Sequence, residues 1–337
     1  MLSAPGRVEL EEIEVGEPGP GEVLVRVEAT GVCHSDLHVI EEDGWGHRLP
    51  VLLGHEGAGV VEAVGEGVEN VAPGDRAVIG WKAACGECAR CVAGRPRLCK
   101  APPAAPGRLR RADGTVLTPV LRTGTFATRT VVPAAAVALV PRELPAEQAC
   151  LIGCAVATGV MSVLETARVP AGARVAVIGC GAVGLSVVQG ARIAGAGEIR
   201  ALDPDERKLE QAREHGAVDG TPNDRVDFAF DVVGRRQTFE LALSLLATGG
   251  TAVLIGLSPA GERAEIDLPR LFARRARILV SHGGDHLPED FPRLARWALD
   301  GKLDLGFMVS RVAPLDEWQE AFDAMRSGDA VRTVLTP

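Results

Sequence analysis

At 337 residues the chain is longer than one hydrophobic core normally supports, because cores stop growing near roughly 250 to 300 residues, so two domains are expected. Hydrophobic residues at 46% and charged residues at 24% exclude a disordered or fibrous chain. A formal charge of −9 argues against a surface that tracks nucleic-acid phosphates or a basic membrane face, which leaves small molecules as the expected partners.

The opening MLSAPGRVELEEIEV has no basic stretch followed by an apolar run, so a cytoplasmic protein is expected. The longest near-apolar stretches, 149–164 and 175–188, fall short of about 18 residues and contain glycine, so no membrane span is expected. Between 8 and 27 the residues alternate, with Val23, Val25 and Val27 on one side and Arg26 and Glu28 on the other, after a Pro-Gly-Pro-Gly turn at 18–21. Short apolar runs at 57–64 and 76–79, separated by Pro73-Gly74-Asp75, extend the pattern to a barrel-like β unit over the first 130 residues.

Cys85, Cys88, Cys91 and Cys99 follow within a Gly, Ala and Arg loop. Close Cys-x-x-Cys spacing without a secretion signal reads as metal binding, and four thiolates close a tetrahedral zinc site with no open position, which makes it structural. From 168 the punctuation changes to alternating strands and helices. A strand at 175–178 leads to a helix at 182–194, a strand at 199–202 to a helix at 205–215, and strands follow at 226–233 and, after a Gly249-Gly250 turn, at 252–255. This predicts a parallel sheet. Two amphipathic helices, 291–300 and 316–326, close the chain, and no repeat or linker separates the domains.

Gly179-Cys180-Gly181-Ala182-Val183-Gly184 is a G-x-G-x-x-G run between a strand and a helix, and Asp203 lies nineteen residues after its last glycine at the next strand's end. Such a loop offers backbone N–H groups to a pyrophosphate, and the carboxylate accepts ribose hydroxyls. Asp203, Asp205 and Glu206 would repel a 2′-phosphate, with Arg207 and Lys208 softening the effect, so NAD is expected over NADP. The chain contains no tyrosine, so a tyrosine-dependent dehydrogenase mechanism is excluded. From periodicity alone Cys33 reads equally as a small buried residue, His55 as a loop histidine and Cys154 as a core thiol beside Cys150.

The runs Gly31-Val32-Cys33-His34-Ser35-Asp36, Gly54-His55-Glu56-Gly57, the four-cysteine loop, Gly153-Cys154 with Thr158-Gly159, and 179–184 occur in the order seen in medium-chain zinc alcohol dehydrogenases, which the chain resembles over nearly its whole length. The resemblance implies an α/β fold: a GroES-like β-barrel catalytic domain from 1–155 and 283–337, and a Rossmann coenzyme domain from 156–282. It implies two zinc ions per chain, the catalytic one on Cys33, His55 and Cys154, with Glu56 and Asp36 as carboxylates behind the ligands. It implies a proton path through Ser35, the cofactor ribose and His38, nicotinamide contacts from Val183 and Thr158, a ribose contact from Lys208, and phosphate contacts from His34 and Arg332. Trp45 and Trp81 would line the substrate pocket, which suits an apolar or aromatic alcohol. A homodimer is expected, with 276–281 pairing across its two-fold axis and a homotetramer as the other assembly.

Two alternatives remain open. One is a zinc-assisted reductase of specialised metabolism acting on a larger carbonyl, imine or conjugated substrate; the other is a non-catalytic dinucleotide-binding sensor. One departure from the family pattern is the short segment 216–225, which has no room for a crossover helix and predicts an apolar patch on the sheet. Cys150 and Cys180 match no ligand role and are read as small buried residues.

Overall fold

The computed structural model describes residues 1–42, 44–100 and 107–337, and the chain divides into two compact units, Met1–Cys154 with Leu287–Pro337 and Ala155–His286. Among the described residues no single helix is long and apolar enough to cross a membrane.

The first unit is mostly β. Strands β1 (Leu2–Ala4), β2 (Arg7–Val8), β3 (Ile13–Val15) and β4 (Glu22–Gly31) precede helix α1 (His34–Glu41), and β5 (Val51–Leu52), β6 (Glu56–Val64) and β7 (Arg76–Ile79) follow it. Then come α2 (Ala89–Val92), β8 (Leu109–Arg111), β9 (Thr118–Pro119), β10 (Arg129–Pro133), β11 (Val137–Leu139) and α3 (Ala146–Ala149). The alternation read from the sequence is realised in β4, where Val23, Val25 and Val27 are buried and Arg26 is exposed.

The second unit runs α4 (Ala155–Met161), β12 (Arg174–Ile178), α5 (Ala182–Ile193), β13 (Glu198–Leu202), α6 (Glu206–Glu214), β14 (Val218–Asp219), β15 (Val226–Asp231), α7 (Arg236–Leu245), β16 (Leu246–Leu254), α8 (Leu268–Arg274) and β17 (Arg277–Val280). The chain then returns to the first unit with α9 (Phe291–Leu299), β18 (Val309–Pro314), α10 (Trp318–Ser327) and β19 (Arg332–Thr336). Here β19 joins the main sheet, in the order β11-β7-β6-β4-β19-β18, with Val334 opposite Gly31.

In the second unit six parallel strands are ordered β14-β13-β12-β15-β16-β17, the doubly wound order whose direction reverses beside the first strand. The Gly-rich turn follows β12, at that reversal. Ala176, Ala229 and Ala252 stand in register across three strands, all fully buried, and these small side chains let α7 settle on the sheet through Ala242 and Leu245.

Two local expectations are corrected. Gly249 and Gly250 are not a turn before a strand but lie inside β16, where the register with β15 shifts and Gly249 takes φ +81°. The sheet face beside the short 216–225 segment is mixed rather than wholly apolar, with Val218 48% exposed on it. No helix forms there, but the uncovered sheet face carries charge: Arg200 pairs with Glu198 at 2.7 Å and Asp224 at 3.2 Å, and Arg174 pairs with Asp227 at 3.0 Å. Arg200 is in register with Ala176 and so on the alanine row's face, where ionic side chains replace the apolar ones a helix would cover.

Ala229→Leu overfills the alanine row under α7. It is expected to lower unfolding stability by about 1–3 kcal/mol, read as a lower urea midpoint with an unchanged slope.

Candidate metal and dinucleotide sites

The ligand candidates of the first unit come from three separate stretches. Cys33 is the N-cap of α1, His55 immediately precedes β6, and Cys154 follows a short 3-10 turn at Cys150–Gly153. Glycines let these stretches close in. Gly54 takes φ +90° and leaves no room for a Cβ against Phe126; a Cβ on Gly153 would strike the Ile79 carbonyl, and one on Gly31 would strike Glu56 Oε2.

Ligand atoms of Cys33, His55, Glu56 and Cys154 all lie within 4.8 Å of one another. His55 is fully buried, yet neither ring nitrogen has a hydrogen-bond partner; Nδ1 sits 3.1 Å from Asp36 Oδ2, an ion-pair distance at an angle outside hydrogen-bond geometry. Asp36 is itself held by the Gly54 N–H at 2.9 Å. A buried imidazole braced by a carboxylate on one nitrogen and facing two sulfurs with the other is the donor arrangement a zinc ion requires.

The electrostatics agree. A hydrogen bond from Cys154 holds the Cys33 thiol well below its usual range against burial, with Arg332 and His55 adding to the effect. The Cys154 thiol is pushed well up by Cys33 and by burial, so the pair shares one proton. Burial opposes a charged His55, but Asp36 and Cys33 outweigh it and push the imidazole well above its usual range. Burial drives Glu56 up to about 7, with Arg332 opposing. Each site proton is one that a divalent cation displaces, because metal ligands must be deprotonated.

Arg332, from β19, completes the site. Its guanidinium donates to the Val32 carbonyl at 3.0 Å and to Glu56 Oε1 at 2.9 Å and lies 3.9 Å from Cys33 Sγ. Family likeness implies a phosphate contact for Arg332, whereas its partnership with Glu56 has no local signal, because the arginine and the carboxylate are so far apart in sequence. Glu56 Oε2 is buried and has no partner.

The four-cysteine loop forms a second cluster. Cys88 and Cys91 Sγ are 3.6 Å apart, Cys85 and Cys99 3.5 Å, and Cys88 and Cys99 3.9 Å. Zinc–sulfur bonds of about 2.3 Å imply a tetrahedron edge of roughly 3.8 Å, so the loop is already shaped for one ion. The Cys85 N–H points at Cys99 Sγ and the Cys88 N–H at Cys85 Sγ, while N–H groups of Cys91 and Arg90 hold the Cys88 thiol down to about 6. Arg97 from this lobe binds Asp290 through two hydrogen bonds, 2.9 and 3.3 Å, which ties the loop to the start of α9.

In the second unit Gly179 takes φ +93°, and a Cβ there would press on Val233. Gly181 caps α5 and faces open space, while Gly184 packs on the Gly179 carbonyl too closely for any side chain. These are the three roles that a pyrophosphate-binding turn assigns to its glycines. Asp203 accepts the Cys180 N–H at 2.8 Å through Oδ2 and the Asp205 N–H at 2.9 Å through Oδ1, which fixes the carboxylate beside the loop. Arg207 is engaged with Asp205 at 3.0 Å, Lys208 is half-buried on α6, and Thr158 and Val183 lie where α4 and α5 meet across Gly159.

Of the remaining candidates, His34 is exposed at the start of α1 and Ser35 Oγ lies 3.9 Å from Cys33 Sγ. His38 stacks on Trp45, and Trp81 is half-buried. Cys150 and Cys180 are fully buried, as expected.

A closed four-thiolate site, a buried Cys, His, Cys set with a carboxylate at hand, and a doubly wound unit with a dinucleotide turn define a zinc dehydrogenase. Residues 19–142 match the family described as alcohol dehydrogenase GroES-like domain, and 182–300 that of zinc-binding dehydrogenase. The chain is 38% identical to S-(hydroxymethyl)glutathione dehydrogenase of Escherichia coli O1:K1, over 98% of this chain and 97% of that protein. Among solved structures it is similar to an alcohol dehydrogenase zinc-binding domain protein from Burkholderia ambifaria, with TM-score 0.93, 32% identity and coverage of 99% and 96% of the two chains. It is also similar to benzyl alcohol dehydrogenase from Acinetobacter calcoaceticus, with TM-score 0.88, 28% identity and coverage of 97% and 95%. The chain belongs to the zinc-dependent medium-chain alcohol dehydrogenases, as an NAD-linked oxidoreductase.

Elemental analysis is expected to find about two zinc ions per chain, falling to about one in both Cys154→Ser and Cys91→Ser. Only Cys91→Ser should keep alcohol turnover at low temperature, with a lowered Tm. Zinc added to metal-free protein in weak buffer should release protons, and affinity should fall as pH falls because protons compete for the same sulfurs and imidazole.

Proposed function

We propose that this enzyme oxidises an apolar or aromatic primary alcohol to its aldehyde with NAD, and runs the reverse reduction at the same site. One alcohol and NAD⁺ give one carbonyl compound, NADH and one proton. The observation that carries the reading is the convergence of Cys33, His55 and Cys154 in one cluster, the first two buried and the third partly exposed. Cys33, His55 and Cys154 would hold a zinc ion there, which would supply Lewis-acid polarisation of the substrate oxygen.

The chain's own residues do the rest. Asp36 keeps the His55 ring oriented, and Arg332 keeps Glu56 from standing as an unpaired buried charge. Ser35 takes the alcohol proton and passes it toward His38, one helical turn along α1. Asp203 receives the adenosine ribose and disfavours a 2′-phosphate. Gly179, Gly181 and Gly184 admit the pyrophosphate, Lys208 adds a ribose contact, and Thr158 and Val183 pack near the nicotinamide. Trp81 forms one wall of the substrate pocket. The substrate class is supported by the similarity to an enzyme named for benzyl alcohol, an aromatic primary alcohol, and to one named for S-(hydroxymethyl)glutathione, a hemithioacetal that offers the same CH2–OH group.

A homodimer is part of the reading. Strand β17 is one of the sheet's two edges, and beside it Phe272 is 88% exposed and Val280 65%. An open apolar edge of this kind is a pairing surface, and a second copy of the chain is the partner it fits.

NADH formation is to be measured over benzyl alcohol, short aliphatic alcohols and S-(hydroxymethyl)glutathione. Turnover with none of them by zinc-loaded protein would end the proposal. Ser35→Ala should lower kcat roughly 100-fold with zinc content unchanged. Asp203→Ala should erase the preference for NAD over NADP, and a preference that survives intact would remove Asp203 from the discrimination.

A further inference from the structure

Ser35 and His38 are one turn apart on α1, and Glu42, the residue that ends the helix, is one turn further, so the three fall at i, i+3 and i+7 on one helical face. The Nδ1 atom of His38 is 2.9 Å from Glu42 Oε1. On its other side the imidazole stacks on Trp45, with ring centroids 5.9 Å apart and planes inclined by 28°.

The indole is held there at a backbone cost. Gly44, Trp45 and Gly46 take φ +94°, +46° and +78°, three consecutive left-handed residues immediately after the helix. A left-handed conformation is strained for a residue with a Cβ, and such strain persists only where the surroundings enforce it. Part of the indole packs on the core cluster that contains Leu37 and Val39, and its stacked face meets His38. A solvated His–Glu pair on a helix surface needs no such turn.

We infer that Glu42 and Trp45 are positioning residues for His38: they fix the tautomer and the plane of its ring so that Nε2 is the nitrogen that accepts the substrate proton. Which ring nitrogen carries the proton is set by the hydrogen bond the other one makes. With Nδ1–H donating to the Glu42 carboxylate, Nε2 keeps its lone pair. The proton that leaves the alcohol hydroxyl through Ser35 then forms the N–H bond at Nε2, and Nδ1–H stays with Glu42 throughout. This is the logic by which a carboxylate orients a catalytic histidine, on a helix face rather than in a buried triad. Trp45 accordingly serves the proton path and not the substrate wall. The inference rests on the Ser35 to His38 path proposed above.

The test compares His38→Ala, Glu42→Leu, Glu42→Gln and Trp45→Leu in the zinc-loaded enzyme. Zinc content, the Kd of NAD, and kcat and KM for benzyl alcohol are measured, together with ¹⁵N NMR spectra of the His38 ring. His38→Ala is expected to lower kcat roughly 100-fold. Glu42→Leu should lower it about 5- to 10-fold, with KM, Kd and zinc content unchanged and with the ring's ¹⁵N pattern moved from the Nδ1–H tautomer to a mixture. Glu42→Gln should restore most of kcat and the tautomer, because its amide oxygen still accepts from Nδ1. Trp45→Leu should broaden the ring signals and lower kcat in the same range. If Glu42→Leu keeps both the wild-type ring spectrum and the wild-type kcat while His38→Ala is slow, the inference is overturned and the proton path stands. If Glu42→Leu changes the ring spectrum but not kcat, the inference is likewise overturned. If His38→Ala turns over normally, the proton path itself fails.

Discussion

Gathering two thiols, an imidazole and a carboxylate within 4.8 Å, with Cys154 alone partly exposed, is the constraint around which the first unit is organised. Each of these groups would be costly to bury charged and alone. Together they form a set whose protons can be exchanged for one divalent cation, with a guanidinium behind the carboxylate as the permanent counter-charge. The fold meets the requirement by drawing ligands from a helix start, a strand start and a tight turn, and by placing glycine wherever those segments approach one another. Asp36 shows how far the bracing extends: it touches His55 on one side and is itself fixed by the backbone of Gly54.

The second unit meets a different constraint with similar means. A pyrophosphate needs backbone N–H groups at a helix start and no side chain in its way. Gly181 leaves that space open, while Gly179 and Gly184 let strand and helix close behind it. Asp203 is locked by two backbone N–H groups, so its carboxylate is held in place beside the Gly-rich loop. The alanine row beneath α7 and the ionic face beside it show one sheet surface finished in two ways: packed where a helix covers it and charged where none does.

What the sequence made legible follows from the range of the interactions. Cysteines spaced by two residues need only a short loop to meet, so the structural site could be read from spacing alone. The dinucleotide turn could be read because strand, glycines, helix and acid succeed one another within one βαβ unit. Cys33, His55 and Cys154 were indistinguishable from core residues until the family pattern put them in register, since nothing local ties residue 33 to residue 154. The pairing of Arg332 with Glu56 was out of reach, because it depends on β19 lying beside β4. Glu42 was within reach, four residues after His38 on a helix, but the left-handed turn that brings Trp45 onto the ring leaves its mark only as two glycines around a tryptophan. The bare sheet layer was expected to be apolar because a covering helix usually buries apolar side chains; Arg174, Glu198 and Arg200 were there in the sequence to say otherwise.

The contact between Arg332 and Val32 joins positions 300 residues apart. Loop-closure entropy and contact order make such a pairing slow to form relative to the local hairpins around it. Until the returning strand docks against β4, Glu56 has no guanidinium to face, so the pocket is complete only once β19 has paired. Assembly of the pocket thus reports on the union of the first and last stretches of the chain, so a molecule that has failed to join them also lacks a finished metal-binding pocket.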